Sequence, residues 1–124
     1  MNTKTRNIIG WVLTALIAAF LLFSASGKFM TDPKMQEMMA GMGLTPDKAH
    51  LIGALEILSV LLFVIPRTGV LGTLLLSAYL GGAIATHMEH AQAGPPTAAI
   101  IVEIVVFITA AIRFPELTRR LADK

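Results

Sequence analysis

Four stretches of this chain, 7–27, 50–66, 68–87 and 95–114, are apolar enough to read as membrane spans, and this constrains the fold before any other feature. Crossing a bilayer core as a helix takes about 20 mostly apolar residues. The first stretch is uncharged over 21 residues and the third over 19, from Thr68 to Thr86. The second is interrupted by Glu56, and the fourth by Glu103 before it closes at Arg113. Backbone in lipid must satisfy its own hydrogen bonds, so all four are expected to be helices. The second and fourth are short and need snorkelling flanks or local thinning of the bilayer.

Composition agrees. The 124 residues are 55% hydrophobic and only 15% charged, against about 25% charged in a soluble domain. The length allows a single domain, 1–124. A formal charge of +2 with scattered basic residues gives no nucleic-acid footprint. With no cysteine, disulfides, thiolate metal sites and dithiol redox chemistry are excluded. Lys4 and Arg6 before the first apolar run give residues 1–27 some signal-peptide character. That run exceeds the usual 7–15 residues of a signal h-region, so it reads as a retained span with signal-anchor character.

Basic residues set the expected orientation. If both termini lie on one side, that side holds Lys4, Arg6, Arg67, Arg113, Arg119, Arg120 and Lys124, and the other only Lys28, Lys34 and Lys48. Both termini are therefore expected to be cytoplasmic, in a multi-pass protein of the cell (inner) membrane. The link "PRTG" (66–69) makes spans two and three antiparallel neighbours. Pro95-Pro96 starts span four, where missing amides are tolerated. The expected fold is an all-α, polytopic transmembrane four-helix bundle. Thr73, Ser77, Gly81 and Ala85 form a small-residue ridge on span three that suits close helix packing or a homo-oligomer contact.

The outer loop, 28–49, contains Met35, Met38, Met39 and Met42 at i, i+3, i+4 and i+7, one face of a helix. Asp32 is its expected N-cap, followed by Pro33, and Gly43 its stop. A short amphipathic helix lying at the interface or over the bundle is expected. The methionines are also soft donors for Cu(I), although a methionine stripe at helical spacing is more often packing.

The charges within the spans carry the functional question. Glu56 and Glu103 each lie six residues from the outer end of their span, roughly 9 Å deep at about 1.5 Å per residue. Lys28 and His87 end spans one and three on the same side. Phe20, Ser24 and Lys28 share one face of span one; Gly53, Glu56 and Ser59 share one of span two; Tyr79, Ala83 and His87 share one of span three. A shared pocket in the outer half is expected, with Lys28, Glu56, His87 and Glu103 as its chemical groups and Phe20, Ser24, Ser59, Tyr79 and Phe107 contacting a ligand. A charge at mid-membrane costs about 2.5–3.5 kcal/mol. Nine large apolar residues between Ile100 and Ile112 each return roughly 0.3–0.6 kcal/mol. Glu103 cancels most of that gain unless it pairs with Lys28 or takes up a proton. His87 and His90, with His50 on the same side, are the metal-ligand candidates, but "THMEH" (86–90) is not the HExxH zinc motif and no dedicated metal site is expected.

"SASGKF" (24–29), "GALEILSVLLFV" (53–64), "GAIATHMEH" (82–90) and the basic C-terminal tail resemble the DoxX and DoxX-like family of small four-span membrane proteins. The resemblance implies a four-helix bundle and a link to membrane oxidoreductase systems; the founding member is the small subunit of a thiosulfate–quinone oxidoreductase. It also implies that Lys28 and Glu56 are the family's recurrent polar positions. Members that use cysteines are no guide here.

Three functions compete. The first is a quinone-associated subunit in which Glu56 or His87 relays protons; lacking an electron donor of its own, it requires a flavin- or metal-bearing oxidoreductase partner, so any catalysis belongs to a complex. The second is a proton-coupled carrier of small hydrophobic or cationic molecules. The third is a structural membrane partner with Lys28–Glu56 as an internal clasp. Loss of function with intact folding in Glu56→Gln separates the first two from the third.

Overall fold

The helices of this chain begin and end where its capping residues stand. In a computed structural model that describes residues 2–29, 33–41, 43–90 and 95–122, the elements are α1 (Thr3–Gly27), α2 (Pro33–Gly41), α3 (Pro46–Val64), one 3-10 turn (Pro66–Thr68), α4 (Gly69–Glu89), α5 (Thr97–Arg113) and α6 (Pro115–Ala122). Every described element is helical. Asn2 caps α1 by accepting from the Thr5 amide at 2.7 Å. Thr45 caps α3 from the Lys48 amide at 3.3 Å, with Pro46 at the first helical position. Pro66 ends α3 by holding Ile65 in the extended region.

Gly43, at φ 76°, follows α2, and the Gly43 and Leu44 amides donate back to the Ala40 and Met39 carbonyls at 3.0 and 2.9 Å. This pair of bonds is the Schellman closure, which requires a left-handed residue that glycine supplies without strain. Asp32 and Met42 lie outside the described residues, as does the side chain of Met35.

α3 extends four residues further toward the outer loop than the sequence suggested, because Thr45 is the cap. α5 starts at Thr97 rather than Pro95, with Pro96 in the capping place. At 17 residues it rises roughly 26 Å, short of the ~30 Å hydrocarbon core. Among the described residues two runs are long and apolar enough to cross a bilayer, Thr3–Gly27 and Pro66–Glu89.

The four long helices close a ring: α3 packs on α4, α4 on α5, α5 on α1 and α1 on α3. Inside it lie Leu21, Phe63, Leu76 and Val106 together with Thr14, Glu56, Thr73 and Thr109, all buried. Outside it are Leu16, Phe23, Leu74, Ile101 and Met88, all exposed. Polar groups inside and large apolar ones outside reverse the pattern of a water-soluble protein. Only 28% of the apolar window of each spanning helix is buried. The buried hydroxyls satisfy themselves locally: Thr14, Thr73 and Thr109 donate to carbonyls one turn back at 2.7–2.8 Å. This is an all-helical membrane protein.

The close helix approach is not made by the whole ridge read from span three. Thr73 is buried, but Gly81 and Ala85 face outward, and a Cβ on Gly81 would meet nothing within 4 Å. The contact is made one position earlier. A Cβ on Gly72 would fall on the backbone nitrogen and Cα of Phe63, and one on Gly69 would fall on the Phe114 ring. The "PRTG" turn is too short to hold α3 and α4 apart, so their backbones meet at once and only glycine fits.

Candidate functional site

At Gly53 the end of α1 presses against α3. A Cβ there would lie 2.8 Å from the Phe29 ring and 3.2 Å from Cβ of Lys28. The missing side chain lets Lys28 reach one turn further along α3, where its Nζ meets Oε1 of Glu56 at 2.9 Å. The ammonium also donates to Oγ of Ser24 at 3.1 Å and to the Ser24 carbonyl at 3.5 Å. Its three protons are thus all engaged. The Lys28 ammonium stands 5.8 Å from the centre of the Tyr79 ring, within cation–π range. The Tyr79 hydroxyl faces the Glu56 carboxylate.

Glu56 is 0% exposed, and its second oxygen, Oε2, has no hydrogen-bond partner among the described residues. An orphan buried acceptor is uncommon, because each carries a desolvation penalty of about 1–3 kcal/mol. The Tyr79 hydroxyl, which faces this carboxylate, is a donor at hand for it.

This ion pair borders a cavity of about 530 Å³. Its walls come from α1 (Phe20, Leu21, Ser24), α3 (Ile52, Glu56), α4 (Tyr79, Ala83, His87) and α5 (Ala99, Val102), with Met39 of α2 and Leu44 beside them. The walls are mainly apolar. Phe20 is 50% exposed, and Ala78, Gly82 and Ala98 line the cavity while also exposed. The cavity is therefore reachable from outside the helix ring. His87 donates from Nδ1 to the Ala83 carbonyl at 2.7 Å; a carbonyl can only accept, so this nitrogen carries the proton.

The other residues singled out in the sequence lie elsewhere. Glu103 faces Ser77 across the α4–α5 seam, away from the cavity lining, and its Oε1 has no partner among the described residues. The Ser77 hydroxyl proton goes to the Thr73 carbonyl at 2.8 Å. Glu56 and Glu103 do not meet at one polar cluster. Ser59 is buried but donates to the Leu55 carbonyl at 2.7 Å, one turn below the cavity. Phe107 is 54% exposed on the outside of α5 and lines no part of the cavity. The three histidines are separately engaged: His50 stacks on Phe29 with ring centres 5.4 Å apart, and His90 contacts the Thr86 carbonyl at 3.3 Å and packs against Gly43.

A second polar assembly, at the opposite end of the ring, escaped the sequence reading. Arg113 donates to the Phe63 and Val64 carbonyls at 2.8 and 3.0 Å and to Oγ1 of Thr14 at 3.2 Å. Its guanidinium lies 4.6 Å from the ring centres of Trp11 and Phe114. A single residue on α5 thus satisfies the last carbonyls of α3 and locks onto α1. Arg6 does the same for α5, donating to the Ile112 carbonyl at 2.8 Å. The available signal was Arg113 closing an apolar run at the level of Gly10 and Thr14, but charge counting treats it only as an orientation marker.

No curated protein and no solved structure matches the chain. The model of the DoxX-like family matches residues 12–112, a stretch that contains the ion pair, the cavity walls and most of the ring. The chain belongs to the DoxX-like family.

Proposed function

We propose that this protein is a quinone-associated accessory subunit of a membrane oxidoreductase, with the cavity beside Lys28 and Glu56 as the seat of the quinone head. The observation that carries this reading is an apolar cavity, reachable from outside the ring, with the buried Lys28–Glu56 pair and the Tyr79 ring at its wall. A quinone head has polar atoms at its edge and an apolar body and tail, and the lining offers both kinds of surface. When bound, a quinone supplies two-electron, two-proton chemistry. The chain contributes binding and proton handling: Lys28 holds Glu56 in place, and Glu56 and His87 accept or return protons toward the outer face. The electron donor is a flavin- or metal-bearing partner subunit.

In this reading all four long helices span the inner membrane as a bundle, both termini are cytoplasmic, and α2 lies at the outer interface over the cavity. Mass spectrometry of the organic extract of detergent-purified protein tests the proposal. Stoichiometric quinone in the wild type, reduced in Glu56→Gln, is the expected result; bulk phospholipid alone in both would overturn it.

A second reading has its own observation. The Lys28–Glu56 pair ties α1 to α3, as a purely structural clasp in a partner-docking protein would. A two-sided carrier is less well supported, since Phe63, Phe114 and Arg113 fill the ring at its other end.

A further inference from the structure

We propose that Glu103 is a proton-bearing site separate from the ion pair, a neutral carboxylic acid at the lipid-facing α4–α5 seam that is open to membrane-soluble carbodiimides. The inference rests on α5 lying in the bilayer, as in the reading above, and does not depend on the quinone.

A carboxyl this far inside an apolar helix needs a cation, committed donors or a proton. Lys28, the cation within reach by depth, is spent on Glu56 and Ser24. No cationic side chain pairs with Glu103 among the described residues. The other charges of α1, Lys4 and Arg6, stand at the opposite end of the ring, as do Glu116 and Arg119 of α6. Arg113 of α5 is bonded to the Phe63 and Val64 carbonyls. On α4, His87 is bonded to the Ala83 carbonyl. Ser77 faces Glu103 from α4 but sends its hydroxyl proton to the Thr73 carbonyl at 2.8 Å, so it offers an oxygen rather than a donor. Oε1 of Glu103 is buried with no partner among the described residues. The proton is what remains. An isolated carboxylate in apolar surroundings is neutralised.

Access comes from the bilayer. Glu103 is half-buried, and Ile100 and Phe107, one turn before and after it on the same face of α5, are 41% and 54% exposed. Gly81, one turn beyond Ser77 on α4, has no side chain to cover the carboxyl, and the space at its Cβ position is open. Glu56 is the opposite case, paired at 2.9 Å and 0% exposed.

A lipophilic carbodiimide distinguishes the two states. The acid proton moves to a carbodiimide nitrogen and the carboxyl oxygen adds to the central carbon. The resulting O-acylisourea rearranges to a stable N-acylurea, with no leaving group and no change of oxidation state. A carboxylate in lipid brings no proton and does not react.

The test is treatment of the full chain in phosphatidylcholine vesicles at pH 7 with dicyclohexylcarbodiimide or with a water-soluble carbodiimide, and location of the adduct by peptide mass spectrometry. An ordinary glutamate is protonated about one part in 500 at that pH. The lipophilic reagent is expected to modify Glu103 at least about tenfold more than the exposed Glu37, Glu89 and Glu116, and to leave Glu56 untouched. The water-soluble reagent should spare Glu103. Glu103→Gln, uncharged like the acid it replaces, should fold with an unchanged melting temperature and lose the adduct. An unmodified Glu103, or modification at Glu56 in its place, would overturn the site. A melting temperature raised by Glu103→Gln would show a carboxylate there and overturn the proton. Equal modification of Glu103 by both reagents would place it in water, and the membrane position of α5 would fall with the inference.

Discussion

Lys28 Nζ lies 2.9 Å from Oε1 of Glu56, so the residue that closes α1 is held by the middle of α3. The Lys28 side chain is 12% exposed and that of Glu56 0%. The approach depends on Gly53, one turn before Glu56, where the Phe29 ring and the Lys28 stem occupy the space of a side chain. One contact thus closes the α1–α3 side of the cavity and sets the charge beside it.

Lys28→Met leaves a fully buried carboxylate without its counter-charge, and breaking such a pair by removing one partner costs about 3–5 kcal/mol. The melting temperature in detergent is expected to drop by roughly 10 °C. Lys28→Met combined with Glu56→Gln should recover most of the loss, because neither partner is then charged. An unchanged melting temperature in the single variant would remove the pair from the account of stability.

Gly72 and Gly81 lie on the same helix and make opposite predictions. A Cβ on Gly72 collides with the α3 backbone at Phe63, which no rotamer change relieves. Gly72→Ala is expected to destabilise by about 1–3 kcal/mol or to prevent folding. Gly81→Ala meets open space and should be neutral or gain up to about 1 kcal/mol from helix propensity. Thermal melting of both variants in detergent decides the matter. A large loss from Gly81→Ala would mean that this face packs on another helix, as a homo-oligomer would require.

These two glycines show what the sequence could and could not convey. Four apolar runs and a four-residue link between two of them carry enough information for helices and for one antiparallel pair, because hydrophobic length and turn chemistry are local. Depth places Lys28 and Glu56 in one polar cluster with Glu103 and His87, but it offers Lys28 to Glu103 as readily, and the Lys28–Glu56 clasp stands only as one of three alternatives. Rotation about the helix axis is not local, and that is where the reading went astray. Glu103 has the same depth as Glu56 but turns toward Ser77, and Phe107 turns outward, because Val106, Thr109 and Ala110 take the inward face of α5. In an apolar run every face looks alike, so no periodicity marks which one packs. Arg113 was missed for a related reason: its partners are main-chain carbonyls, which have no signature in the sequence.

Arg113→Lys tests that assembly. Lysine keeps the charge but lacks the planar fork that reaches Phe63, Val64 and Thr14 together. Hydrogen bonds from a charged donor contribute roughly 1.5–3 kcal/mol each, so losing even one should lower the melting temperature measurably. Trp11 is the sole tryptophan and stacks on this guanidinium, so its emission should shift in the folded variant. Unaltered emission together with unaltered melting would show that α1 is held at this end without Arg113.

The same latch makes a prediction about topology. Arg6 reaches the carbonyl of Ile112, and Arg113 reaches those of Phe63 and Val64. The start of α1, the end of α5 and the α3–α4 link with Arg67 therefore gather at one end of the ring. Lys28 and His87 lie at the other, beside the cavity. Basic residues are retained on the cytoplasmic side, which puts Arg67 inside and Glu89 outside. The chain has no cysteine, so single-cysteine variants give an unambiguous reading. In spheroplasts, a membrane-impermeant maleimide should label Glu89→Cys at once, and Arg67→Cys and Arg119→Cys only after permeabilisation. The reverse pattern would turn the cavity toward the cytoplasm, and a quinone reduced there would take its two protons from that side.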